Sequence, residues 1–374
     1  MYKLIHLHTD FKFLHDTLRY EDSLLHNEII FIGDCDETIM ERMKILSLKC
    51  YTFNSSEIEK ILEIISFSDG VVFYGLDKLK IQILEKINED KKVFLRLFGY
   101  ELYSLKRDKF SSKTSLDLSI PISLKNYSLQ EYLKRKIKRK LGIEFKVDIE
   151  KQKNIYSKID AILLLNEFEY ADLSKYFYLP KFIKLSFLRE APTTLELSNK
   201  KNEIIVGNSR NSWNNHLDVF KIIKKSKKAK NFNFVLFFNY GSNNMYADAV
   251  RKKTKSNIVF IEDFLDKKEF DAIYDTVAAL VINSYRQHAL GNIFTAILAG
   301  ARVYLNQKSS TYKWLKHEGF VISEINELPN EIDNNKIRLT QSEYQQNINC
   351  FNKLKHNYTT ANFLENIISI LKNE

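Results

Sequence analysis

Apolar and polar positions along the first part of the chain follow two alternating periods. Short continuous apolar runs at 2–7, 28–32, 49–53, 70–74 and 93–98 read as buried strands. Between them apolar residues recur at helical spacing, as at 76, 79, 83, 84 and 87, or over 56–67, where Ser56 and Glu59 form a partial capping box. Strand and helix in alternation predict a parallel sheet covered on both faces. Ligands of such sheets gather at the carboxyl ends of the strands. That rule singles out His8, Asp10, Asp34, Asp36, Tyr74, Gly99 and Glu101.

The rhythm breaks at 106–124, a serine- and lysine-rich stretch that reads as a loop, and at 128–141, a basic helix. A strand at 159–165 follows, and 184–201, with Pro192, reads as a crossing. A second α/β rhythm begins at Glu203, with strands at 204–206, 232–238, 257–261, 278–282 and 302–305. Helices at 217–227, 246–253, 269–276 and 289–300 separate them, and helices at 342–355 and 360–372 close the chain. The expectation is two facing doubly wound α/β domains, 1–190 and 200–355, with the ligand in the cleft between them. A terminal helical segment, 356–374, is expected to pack back on the first domain.

The stretch 281–300, VINSYRQHALGNIFTAILAG, carries the clearest candidate chemistry. Strand, polar bend and helix form the unit in which helix-start N–H groups and the helix dipole face an anion. Arg286 can fork onto phosphate oxygens, Gly291 lets the backbone approach a ligand closely, and Gln287 and Asn292 can orient a sugar or phosphate. Gly207-Asn208-Ser209 follows a strand of the same sheet, and Tyr240 and Asn243 lie at a third strand end. Three polar loops on one sheet edge point to a nucleotide. Neither a Walker loop nor GxGxxG occurs, which lowers NTP hydrolysis and dinucleotide redox chemistry.

Composition adds the nature of the partner. A net charge of +10 favours an anionic one: nucleic acid, a lipid surface or a nucleotide-linked substrate. Much of that charge lies in SLQEYLKRKIKRKL, where Leu129, Leu133, Ile137 and Leu141 form one stripe amid Lys134, Arg135, Lys136, Lys138, Arg139 and Lys140. Such a helix suits anionic lipid or an acceptor diphosphate; Lys134, Arg135, Lys138 and Arg139 are the candidate contacts. Aromatics are not interleaved with it, so nucleic acid is not the expected partner. Cys35, Cys50 and Cys350 lack metal spacing and read as reduced cytosolic thiols. Asp34-Cys35-Asp36 matches an Asp-x-Asp metal motif only superficially, and acidic residues before a helix suit its dipole without a metal. No apolar run reaches the ~18 residues of a membrane span.

The loop segments IVGNSRNSWNNH (205–216), NYGSNNMYADAV (239–250) and RQHALGNIFTAILAG (286–300) resemble the bacterial 4-acetamido-4,6-dideoxygalactose (Fuc4NAc) transferases, the family 56 glycosyltransferases of enterobacterial common antigen assembly. YKLIH (2–6), VFYG (72–75) and LFGYELYSL (97–105) are similar too, and the resemblance thins between 106 and 200. It departs where Glu101 replaces the family's Asp and where Ala289-Leu290-Gly291 carries less glycine.

The resemblance implies a GT-B fold and metal-independent, inverting transfer from a dTDP-sugar, with no cofactor. The acceptor would be an undecaprenyl-diphosphate-linked saccharide, and the protein would be cytoplasmic, peripheral on the cytosolic face of the inner membrane. Inverting transfer needs a base for the acceptor hydroxyl and positive groups for the leaving diphosphate. Glu101 is the leading base, then His15 and Asp16, then His8. Arg286, the helix start at 289–292 and the 207–209 backbone would hold the diphosphate, Tyr240 would stack on thymine, and His216 would cap or support. Rival readings are an O-antigen or capsule transferase using a UDP- or GDP-sugar, a basic nucleic-acid-binding protein, and a non-catalytic membrane-associated scaffold.

Overall fold

The computed structural model describes residues 1–120, 128–141, 149–186, 190–191, 197, 200–253 and 257–373, without the side chains of Lys12, Thr38, Arg42 and Arg139. Most of the predicted crossing, including Pro192, lies outside these residues, as does the Arg139 side chain. The chain divides into two compact units. The first comprises Met1–Ser104, Val147–Arg189 and Leu354–Glu374; the second comprises Leu105–Lys146 and Glu190–Lys353.

The first unit holds strands β1 (Tyr2–His8), β2 (Leu25–Ile32), β3 (Lys49–Phe53), β4 (Gly70–Tyr74), β5 (Lys92–Arg96), β6 (Ala161–Leu164) and β7 (Lys181–Lys184). They form one sheet in the order β3-β2-β1-β4-β5-β6-β7, and every pairing is parallel. The continuous apolar runs exist because both faces are covered: β4 is buried at every position. Leu4, Val72, Phe94 and Leu163 share a core with Phe363, Leu364, Ile367 and Leu371 of the helix Thr360–Lys372. Each such buried side chain contributes roughly 1.5–3 kcal/mol.

The second unit holds β8 (Glu203–Val206), β9 (Asn233–Phe237), β10 (Ile258–Ile261), β11 (Ala279–Ile282), β12 (Arg302–Leu305) and β13 (Ser323–Glu324). Their order is β10-β9-β8-β11-β12-β13, again wholly parallel. Ile204, Val206, Leu236 and Val281 pack with Val219, Tyr246 and Val250 from the flanking helices.

In each sheet the winding reverses once, between β1 and β4 and between β8 and β11. Loops leaving the two central strands diverge to opposite faces there, which opens a crevice at their carboxyl ends. The fold therefore places the 207–215 and 283–289 loops on either side of one such crevice.

Three readings of local sequence need correction. The stretch 106–124 is not a plain loop: within its described part the helices Arg107–Phe110 and Lys113–Ser119 form. Ser112 caps the second of them, its Oγ accepting from the Ser115 amide at 3.2 Å. It also belongs to the second unit rather than to a first domain ending at 190, because Ser112 bonds Asp218 and Asn215 and Leu118 packs on that unit's core. Lastly, Ser56 does not cap the second helix, which begins at Ile58; the Glu57 carboxylate instead takes the Asn54 amide at 2.9 Å.

Candidate active site

In the second unit the site starts from Gly207. Its φ of +74° lies in the left-handed region, and a Cβ there would sit 2.4 Å from His216 Nε2. The chain can then turn back so that Asn214 Nδ2 reaches the Ser209 carbonyl at 3.0 Å and Asn214 Oδ1 the Asn208 amide at 3.3 Å. Asn215, itself left-handed, donates through Nδ2 to the Asn283 carbonyl at 2.6 Å, and Asn283 Oδ1 accepts from Asn306 Nδ2 at 2.8 Å. Asparagine amides, donor and acceptor on one planar group, thus lace together the loops after β8, β11 and β12. The Arg210 amide bonds the Tyr240 carbonyl at 3.0 Å and its guanidinium bonds Asn243 Oδ1 at 2.6 Å, which brings in the loop after β9.

Arg286 projects from the loop after β11 and is only 8% exposed. Its guanidinium lies 4.8 Å from the centre of the Trp213 ring and donates to the Gln287 carbonyl at 3.0 Å. Ser309 Oγ donates to the Arg286 carbonyl at 3.1 Å, fixing the backbone behind it. Arg107 stands over the same indole at 4.7 Å and bonds Ser212 Oγ. Two guanidinium groups on one tryptophan concentrate positive charge beside the 207–215 loop.

The helix Leu290–Leu298 starts from Ala289 in the left-handed region (φ 58°), a residue that makes no side-chain N-cap hydrogen bond of its own. A Cβ built on exposed Gly291, in its first turn, meets nothing within 4 Å. Asn292 is turned to packing, its Nδ2 donating to Tyr274 Oη at 2.8 Å. Tyr240 is 59% exposed. His216 is the first residue of the helix His216–Ile223, where its amide and its Nδ1 both meet Tyr246 Oη, at 2.7 and 3.0 Å. Burial pushes its imidazole down to about 3, so it supports the Gly207 turn as a neutral group.

In the first unit, His8 ends β1, stacks on Tyr74 with ring centres 3.8 Å apart, and meets Thr17 Oγ1 at 3.1 Å. Burial holds it well below the ordinary imidazole range. Lys80 is fully buried beneath these strand ends, its ammonium donating to the Tyr74 carbonyl at 2.6 Å and to Thr9 Oγ1 at 2.8 Å. Glu101 lies in the short helix Tyr100–Tyr103 after β5. Its Oε1 accepts from the Leu76 and Phe98 amides at 3.2 and 3.4 Å, while Oε2 is buried with no partner among the described residues. Burial lifts the carboxyl to about 7, against the opposing pull of those amides and of Lys80.

The other two base candidates are placed differently. Asp16 pairs with Arg19 at 3.4 Å and Arg96 at 3.5 Å, which ties its segment to the end of β5. His15 is exposed. Asp36 accepts from the Ile39 amide at 2.9 Å as an N-cap, which accounts for it without a metal. Among the described residues no three His, Cys, Asp or Glu side chains gather as metal ligands.

Arg107 and Lys80 escaped sequence reasoning. For Lys80 a signal was present, since position 80 falls on the same helical face as 76, 83, 84 and 87. Arg107 had none, because it meets Trp213 across 106 positions of sequence.

Neither a scan of family models nor a search of curated proteins finds a match to this chain. Solved structures do match over its whole length. Anabaena Alr3699/HepE in complex with UDP-glucose is similar with a TM-score of 0.62 at 11% identity, over 100% of both chains. The fold is GT-B. Sucrose-phosphate synthase from Thermosynechococcus elongatus is similar at TM-score 0.58 and 10% identity, over 100% of this chain and 99% of that one. An α,α-trehalose-phosphate synthase (UDP-forming) from Burkholderia vietnamiensis is similar at TM-score 0.59 and 5% identity, over 100% of both chains.

Proposed function

We propose that this chain is a glycosyltransferase that takes its sugar from a nucleoside-diphosphate donor. The observation that carries the reading is the Arg107–Trp213–Arg286 stack beside the Gly207 turn, at the point where the second sheet reverses its winding. A diphosphate needs concentrated positive charge and is favoured by the N-terminus of a helix. Arg286 and Arg107 supply the charge and the start of Leu290–Leu298 the positive dipole end, with Gly291 leaving room. The similarity to transferases and synthases, some of them crystallised with UDP or UDP-glucose, supports the same class of donor.

In the reaction the acceptor oxygen bonds to the anomeric carbon while the bond from that carbon to the diphosphate oxygen breaks, with inversion. The acceptor proton passes to Glu101, whose carboxyl near 7 is ionised in a useful fraction at neutral pH. The nucleoside diphosphate leaves with its charge held by the arginines and the helix start, and no metal is assigned a step.

The family resemblance supports a dTDP-linked deoxyamino sugar of the Fuc4NAc kind and an undecaprenyl-diphosphate-linked acceptor in bacterial surface polysaccharide assembly. The ligands bound in the structural relatives favour UDP instead, as in an O-antigen or capsule enzyme. Thermal melts with TDP, UDP, GDP and CMP decide between them. The matching diphosphate at about a hundredfold excess over its dissociation constant adds about 2.7 kcal/mol of stability. Arg286→Ala abolishes that gain. No shift with any diphosphate would rule out the transferase reading.

A further inference from the structure

The helix Leu129–Lys140 takes no part in the donor site. Four large aliphatic side chains along it and at its end stay open to water: Leu129 (63% exposed), Leu133 (49%), Ile137 (58%) and Leu141 (64%). Each four-residue step turns about 40° past a full circle, so the stripe spans about 120° of the helix surface. One register position to either side lie Lys136 and Lys140, and Lys134 and Lys138, all exposed. On the far side Arg135 is paired with Glu131 at 3.8 Å. The apolar stripe is thus bordered by lysine along both edges, and the carboxylate is kept away from it.

We propose that this helix lies flat in the interface of an anionic lipid bilayer. The aliphatic stripe enters the boundary between headgroups and acyl chains, and the lysine stems run outward along it to lipid phosphates. Lipid satisfies both features together. A nucleic acid would meet the lysines but leave the stripe in water, and Tyr132 is the one aromatic in 129–141 on which a base could stack. A second copy packed stripe to stripe would set lysine rows against lysine rows. No helix among the described residues is long and apolar enough to cross a membrane, so the attachment is in-plane. The surface explains how a lipid-linked acceptor is reached, but it does not rest on the identity of the donor.

The test uses the purified full chain and sedimentation with phosphatidylcholine vesicles, with and without a minority of phosphatidylglycerol. Binding is expected to be roughly tenfold or more tighter to the anionic vesicles, and to fall as salt screens the lysines. Leu133→Glu/Ile137→Glu should weaken it at least about tenfold, with melting temperature and nucleotide-induced shift unchanged, because both side chains already face water. Lys134→Gln/Lys138→Gln should weaken it separately and flatten its salt dependence. Equal binding to neutral vesicles, or wild-type binding by both variants, overturns the proposal. So does self-association in ultracentrifugation that the aliphatic variant abolishes while vesicle binding is absent, or an RNA mobility shift under the same condition. The assay contains no sugar donor, so its failure leaves the transferase reading untouched, and failure of the nucleotide melts leaves this one standing.

Discussion

Glu101→Gln separates the packing role of this side chain from the proton-accepting role proposed for it. Glutamine keeps a carbonyl oxygen for the Leu76 and Phe98 amides but cannot take a proton. The wild-type carboxyl stands at about 7 in the fold against 4.5 ordinarily, so the folded protein holds on to a proton that the unfolded chain releases. The stability it contributes is complete below about pH 4.5 and is lost as pH rises through about 7. At about 1.4 kcal/mol per unit, the loss between pH 5 and pH 8 is about 2–3 kcal/mol. Urea denaturation of both proteins at those two pH values measures it. The variant should gain about 2–3 kcal/mol on the wild type across the interval, whatever constant offset its amide brings, because titrating groups not coupled to Glu101 cancel in the difference. In the transfer assay, kcat/KM of the wild type should rise with pH through about 7, and the variant should lose roughly 10²–10⁴-fold together with that rise. Parallel stability curves would refute the burial argument, and wild-type turnover by the variant would remove Glu101 from the mechanism.

Arg107→Ala should raise the dissociation constant for a nucleoside diphosphate by about tenfold or more while leaving that for the nucleoside unchanged, read by calorimetry; equal losses for both would mean the arginine only holds the loop. Gly291→Ala meets open space at helical φ, so it should add about 0.5–1 kcal/mol of stability yet weaken diphosphate binding, and a stabilised variant with normal binding would place the ligand elsewhere. Gly207→Ala forces a Cβ against His216 at positive φ and should cost about 2–4 kcal/mol in denaturant melts; a neutral result would contradict the turn.

Much of the architecture was legible in the residue pattern. Continuous apolar runs such as those at 70–74 and 279–282 can be satisfied only by strands covered on both faces, and the helical spacing between them demands crossover helices. The same pattern named the loops after β8, β9 and β11, because strand ends are local features of the chain. Which groups stand ready for chemistry was not local. Arg107 meets Trp213 only in the folded chain, and Asp16 pairs with Arg96, 80 positions away. Glu101 owes its raised carboxyl to burial among segments that meet only when the sheet forms. Periodicity records which way each residue faces relative to its own element. Charge pairing and desolvation depend on which elements the folded sheet sets side by side, and that was decided by tertiary structure alone.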